Sequence, residues 1–132
     1  MVVTPTYYVF EMYKPFKDAA YLPLQISTSA YKHGRFTVPA IHGAAARGAD
    51  GKVYVALSNL NPNDTAKLTV KLAGLNARSV SGQILTAAAM NAINTFENPD
   101  AVKPTGFVGA RVKGNELSVD LPSKSVVVLT LQ

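Results

Sequence analysis

The feature that most constrains the fold is a regular alternation of apolar and polar residues along several short segments. Residues 67–72 and 116–121 place Leu or Val at every second position, with Lys, Thr, Ser, Glu or Asp between them. A period of two sends alternate side chains to opposite faces, so both segments predict strands with one face in a core. Residues 52–60 alternate in the same way. Residues 125–131 are β-prone on both faces and predict a central strand covered on two sides.

Turn-forming residues separate these segments. Asp50-Gly51 predicts a two-residue hairpin, and residues 61–64 and 113–115 predict further turns. Short strands joined by such turns are typical of an all-β sandwich or barrel. The longest irregular stretch is 87–104, and a loop of that length in a small domain is usually functional or packed on a neighbour.

The start of the chain predicts a helix instead. Thr4 is suited to the N-cap and Pro5 to the first helical position, while Pro15 predicts that the helix loosens or ends there. Apolar residues at i, i+3, i+4 and i+7 form one stripe: Val9, Met12, Tyr13 and Phe16, widened by Tyr7, Tyr8 and Phe10. We expect this stripe to be covered by a second copy, by a neighbouring molecule, or by folding back on the sandwich.

Composition narrows the function classes. The 132 residues suit one domain, and the absence of cysteine excludes disulfides, thiolate metal sites and a cysteine nucleophile. The net charge of +5 is scattered along the chain, whereas nucleic-acid binders concentrate it on one face. No segment approaches the ~20 apolar residues of a membrane span. His33 and His42 stand alone, so the sequence predicts no metal site and no cofactor.

No catalytic constellation is visible. Among the eight acidic residues, Glu97 and Asp100 share the long loop, but such a pair more often forms a turn and a cap. A sugar platform needs an exposed aromatic ring, for which Tyr21, Tyr31 and Tyr54 are the candidates. The alternation of its strand points Tyr54 outward, although cross-strand packing explains an outward tyrosine as well.

Three segments carry a family resemblance. Residues 4–14 (TPTYYVFEMYK) resemble the end of the catalytic domain in α-L-arabinofuranosidases of glycoside hydrolase family 51. Residues 94–99 (NTFENP), followed by Val-Lys-Pro at 102–104, resemble a second signature of that family. Residues 121–129 are similar to the closing strand of its C-terminal domain. Tyr8 and Ile93 stand where the family often has His.

The resemblance implies an antiparallel β-sandwich of jelly-roll type over residues 19–132, packed beside a catalytic (β/α)8 barrel. Residues 1–18 would then form a helix at the end of that barrel. In the family the barrel supplies two glutamates for retaining hydrolysis of terminal arabinofuranosyl groups. No segment here matches their motifs, so Glu11 and Glu97 inherit no catalytic role. The expected function is therefore to brace the barrel, with oligomer contacts, and the compartment depends on the parent's N-terminus.

Two alternatives remain open: a carbohydrate-binding module for arabinose-containing polysaccharide, and a complete small enzyme. The weak substrate-binding candidates are Asn94, Phe96 and Glu97. The expected interface, with the barrel or with a second copy, is the helix stripe: Tyr8, Val9, Met12, Tyr13 and Phe16.

Overall fold

The computed structural model describes all residues, 1–132, and is built mostly from antiparallel strands. One helix precedes eleven strands. The elements are helix α1 (Pro5–Met12), a 3-10 turn (Lys14–Phe16), β1 (Ala20–Leu22), β2 (Ala30–His33), β3 (Phe36–Pro39), β4 (Ile41–Arg47), β5 (Val53–Asn59), β6 (Ala66–Lys71), β7 (Val80–Thr86), β8 (Thr105–Gly106), β9 (Ala110–Lys113), β10 (Glu116–Leu121) and β11 (Ser125–Leu131).

Two sheets face each other. The larger has six strands in the order β1-β4-β5-β11-β7-β8, and the smaller has three in the order β6-β10-β9. Strands β2 and β3 pair only with each other and form a separate two-stranded ribbon, residues 30–39, called the ribbon below. All strand pairs are antiparallel. The predicted all-β sandwich led in by one N-terminal helix is confirmed.

The main core lies between the two sheets and follows the alternation of the strands. Residues 117, 119 and 121 of β10 are buried, whereas the residues between them are exposed. The largest fully buried side chains come from both sheets: Leu57, Leu117, Val119, Leu121, Val127 and Leu129. Strand β11 lies between β5 and β7, so the predicted central strand is confirmed.

A second apolar cluster covers the opposite face of the six-stranded sheet. Met12 of the helix packs there with Val102 of the long loop and three sheet residues: Ala56, Leu85 and Val128. The other predicted stripe residues pack around this cluster: Tyr8, Val9, Tyr13 and Phe16. We expected the helix stripe to be covered in one of three ways, and in the structure the helix folds back and packs it on the sandwich of the same chain. The middle strands are therefore buried on both faces.

The helix boundaries agree with the sequence. The Thr4 hydroxyl accepts a hydrogen bond from the Tyr7 N–H at 3.3 Å, as an N-cap does. The α-helix ends at Met12, and Pro15 lies in the 3-10 turn that follows. Proline lacks the N–H that a longer helix would require at this position, which explains the early end.

The hairpin at Asp50-Gly51 differs from the two-residue turn that the sequence predicts. The Gly48 N–H bonds to the Lys52 carbonyl at 2.9 Å, which closes a loop of three residues, 49–51. Gly51 has φ +80°, the left-handed conformation that ends such three-residue loops. The turn between β9 and β10 does have two residues, and Gly114 (φ +61°) occupies its first position.

Candidate interaction surface

The long loop between β7 and β8 is fastened to the start of the chain by one side chain. The Asn94 amide donates to the carbonyls of Val3 at 3.0 Å and Val102 at 2.9 Å. Its oxygen accepts from the Val102 N–H at 2.7 Å. Both ends of the amide are thus engaged by backbone, and Asn94 serves in this structure to hold the loop against the helix.

A tight turn follows Asn94 and presents an aromatic ring to solvent. The Thr95 N–H bonds to the Asn98 carbonyl at 3.2 Å, and the Asn98 N–H bonds to the Thr95 hydroxyl at 3.1 Å. These bonds leave Phe96 at the tip, 85% exposed. An exposed large ring on an ordered turn is the kind of group that a partner surface covers.

Glu97 and Asp100 are engaged separately. The pKa of Glu97 lies below its ordinary value. The main cause is a hydrogen bond from the backbone N–H of Glu97 itself, and the smaller one is a hydrogen bond from the Thr95 side chain. A general acid needs the opposite shift. Asp100 pairs with Lys103, whose Nζ lies 3.3 Å from the carboxylate. Each carboxylate therefore has a local structural partner, as turn and cap residues do.

The helix, whose buried side packs with Val102 of this loop, also carries exposed rings. Tyr7 and Phe10, three residues apart, are 48% and 74% exposed. Three large side chains of the loop are exposed as well. We call the whole set the helix–loop face: Tyr7, Phe10, Met90, Ile93 and Phe96.

This face is the opposite side of the helix from the one that the sequence singled out. The five predicted interface residues, from Tyr8 to Phe16, pack on the sheet of their own chain. The helical pattern could not distinguish the two sides, because apolar residues occupy most of the circumference. Phe10 belonged to the widened stripe, but no periodic signal marked it as the residue left in water.

A shallow groove of about 310 Å³ lies beside the helix–loop face. Its lining is mainly apolar, with Asn59, Lys124 and three hydroxyl side chains as polar groups. Apolar members come from the helix start, the sheet and the loop: Pro5, Leu60, Leu85, Ala92, Val102 and Val126. The face thus offers both protruding rings and an adjoining recess.

Tyr54 offers no sugar platform, and of the two interpretations left open for its outward ring, packing is the one that agrees with the structure. It points away from the main core, but Phe16 covers it with ring centroids 6.3 Å apart, and it is 8% exposed. Its hydroxyl donates to Asp50. This hydrogen bond lowers the pKa of Asp50 and raises the pKa of Tyr54. Tyr21 remains exposed on β1, and Tyr31 is half-buried on the ribbon.

The histidines occupy exposed positions, His33 on the ribbon and His42 on β4. No three His, Asp or Glu side chains lie together in a way that could hold a metal ion. None of the helical segments has both the length and the apolar character needed to cross a membrane.

Comparison with known proteins identifies the domain type. Residues 1–125 match the family model described as the alpha-L-arabinofuranosidase C-terminal domain. An intracellular exo-alpha-L-arabinofuranosidase of Bacteroides ovatus is 38% identical over 133 residues, covering all of this chain and 26% of that protein.

Solved structures of arabinofuranosidases contain a domain of the same fold. The GH51 arabinofuranosidase of Xanthomonas axonopodis pv. citri superposes with a TM-score of 0.98 at 52% identity, over 100% of this chain and 27% of that one. The thermostable GH51 enzyme of Thermotoga petrophila RKU-1 shares the fold, with a TM-score of 0.82 at 24% identity over 99% of this chain and 29% of that one. The chain thus spans about a quarter of the length of these relatives. Its sandwich fold, its segment order and its match over residues 1–125 show that the chain belongs to the family of alpha-L-arabinofuranosidase C-terminal domains.

Proposed function

We propose that this chain is the non-catalytic C-terminal domain of an α-L-arabinofuranosidase and that its helix–loop face packs against the parent's catalytic barrel. The observation that carries the bracing role is the exposure of Phe10 and Phe96 on neighbouring, well-anchored elements. Monomeric proteins rarely expose several large apolar side chains on packed, anchored elements unless a partner covers them.

The energy available from this contact is large enough to hold two domains together. Burying four large side chains of the face is worth on the order of 6–10 kcal/mol before the cost of ordering them. The Asn94 hydrogen bonds already fix the loop that carries Phe96, so little further ordering is needed on this side. The contact would position the barrel and stabilise it without touching substrate.

The parent would hydrolyse terminal arabinofuranosyl groups of arabinan or arabinoxylan, with both glutamates supplied by the barrel. The relatives are named arabinofuranosidases, and this chain covers only about a quarter of each. Glu11 lies on the helix surface, 3.7 Å from Lys14, and Glu97 is held by its own turn. Neither has the environment of an acid/base or nucleophilic carboxylate.

The bracing role is tested in the full-length parent enzyme with the double variant Phe10→Glu/Phe96→Glu. A matched control, Tyr21→Glu/Val108→Glu, changes two other exposed apolar residues. Calorimetry should show one joint transition for the wild type and the control. In the test variant the sandwich and the barrel should unfold separately. A test variant that melts like the control would refute the bracing contact.

Polysaccharide binding distinguishes the bracing role from the carbohydrate-binding alternative. If the domain braces the barrel, calorimetric titration of the isolated chain with arabinan or arabinoxylan should give no heat of binding. Saturable binding in the micromolar-to-millimolar range, lost on Phe96→Ala, would make Phe96 a sugar-stacking residue and overturn the bracing model.

A further inference from the structure

The ribbon is an unusual element of this fold, because the rest of the chain covers little of it. Its strands pair with each other and with no third strand. Seven of its eight strand residues are exposed, and only Tyr31 is half-buried. A single two-stranded hairpin is marginally stable in water, so an ordered ribbon of this kind normally packs against another surface.

One face of the ribbon is apolar and aromatic. Tyr31 lies opposite Val38, and His33 lies opposite Phe36. Directly paired residues and alternate residues share a face, so these four side chains form one surface. Phe36 is 64% exposed on it.

The charges of the ribbon are all of one sign. Lys32 lies on the ribbon face opposite to Phe36, and Arg35 lies in the turn, where its guanidinium is 5.2 Å from the centre of the Phe36 ring. No acidic residue occurs between Asp18 and Asp50, and neither cation makes an ion pair. A ribbon that carries an aromatic face and two cations without ion pairs fits an apolar surface that carries carboxylates.

We propose that the ribbon is a docking arm whose aromatic face binds an apolar, acid-bordered surface of the parent enzyme outside residues 1–132. This inference rests on the proposed function and adds a second contact to it. The ribbon of a second copy is a poorer occupant, because it carries the same two cations and no carboxylate. Neutral arabinan offers no charge to Lys32 or Arg35.

The occupant can be identified by photo-crosslinking in the full-length parent enzyme. Phe36→p-benzoylphenylalanine should crosslink to a peptide from outside residues 1–132 that contains Asp or Glu. The same probe at Val108, an exposed residue of a different loop, is the control. Three results would overturn the proposal: no crosslink above the control, a crosslink within residues 1–132, or one to added arabinan only.

Charge reversal tests the role of the cations. In the full-length enzyme, Lys32→Glu/Arg35→Glu should speed amide exchange of residues 30–39 by about tenfold as the docked arm is released. Arg78→Glu/Arg111→Glu changes the charge equally at exposed positions without ion pairs, and should leave the ribbon protected. Equal rates of amide exchange at residues 30–39 in both variants would refute the electrostatic role of Lys32 and Arg35, and with it the proposal that the docked surface is acidic.

A third probe separates failure of this inference from failure of the bracing role. Phe10→p-benzoylphenylalanine reports on the helix–loop face alone. Crosslinks to the barrel from position 10 but not from position 36 would refute the docking arm and leave the bracing contact standing. Absence of crosslinks from both positions would refute both.

Discussion

At the scale of single residues, Asn94 is the side chain on which the long loop depends. Replacing it with alanine removes three hydrogen bonds and leaves two carbonyls and one N–H of partly buried backbone without partners. We expect Asn94→Ala to lower the free energy of unfolding by about 2–3 kcal/mol in urea denaturation. Asn91, exposed on the same loop with no side-chain hydrogen bond, gives the control Asn91→Ala, which should cost less than about 0.5 kcal/mol. Equal losses would contradict the anchoring role.

The Asp50–Tyr54 hydrogen bond should make stability depend on pH at both ends of the scale. Because the pKa of Asp50 is lowered in the fold, its contribution is present above the ordinary value of 3.8 and is lost as pH falls through the folded pKa. Because the pKa of Tyr54 is raised above 10.0, its contribution is present below that value and is lost as pH rises.

Melting temperatures of the wild type and Tyr54→Phe, measured from pH 2 to pH 11, test this linkage. The wild type should be the more stable protein near neutral pH, and the difference should shrink below pH 3.8 and above pH 10. Tyr21→Phe, at an exposed tyrosine without a side-chain hydrogen bond, should show no such convergence. A constant difference for Tyr54→Phe across the range would exclude the coupling.

At the scale of elements, strand β7 passes so close to β11 that any side chain at position 82 would have to displace its neighbours. A Cβ there would lie 2.7 Å from the Leu129 side chain and 3.0 Å from the Val128 carbonyl oxygen. We expect Gly82→Ala to cost about 1–3 kcal/mol of unfolding free energy. Gly106→Ala on the neighbouring strand meets no atom within 4 Å and should be close to neutral. Equal effects in chemical denaturation would contradict the packing argument.

The elements also show which structural features a sequence can predict. Strands β10 and β11 have the predicted bounds, because their burial follows the residue alternation directly. The ribbon left no such signal, since almost all of its side chains are exposed and no period of burial develops. Tyr54 shows a different limit: alternation assigns a residue to a face, but does not reveal that the 3-10 turn covers that face. In the helix, Met12 is covered, as expected for the stripe, whereas Phe10 of the widened stripe is exposed.

At the scale of the whole molecule, the isolated domain should associate through the surface that the barrel would cover. Sedimentation velocity of the isolated chain should show a concentration-dependent dimer, and Phe10→Glu/Phe96→Glu should return it to monomer. A chromogenic arabinofuranoside should not be hydrolysed by either species. A wild-type chain that stays monomeric at high concentration would contradict the apolar character assigned to the helix–loop face.

The position of β11 has a consequence for the biogenesis of the protein. It is the last strand of the domain along the chain, yet it fills the centre of the larger sheet between β5 and β7. Until the ribosome has released residues 125–131, both of those strands lack a partner on that side and expose apolar edges. A premature stop codon before Ser125 would thus remove only seven sheet residues but abolish the domain. Copies that end before Ser125 would therefore stay unfolded after release and remain open to proteolysis.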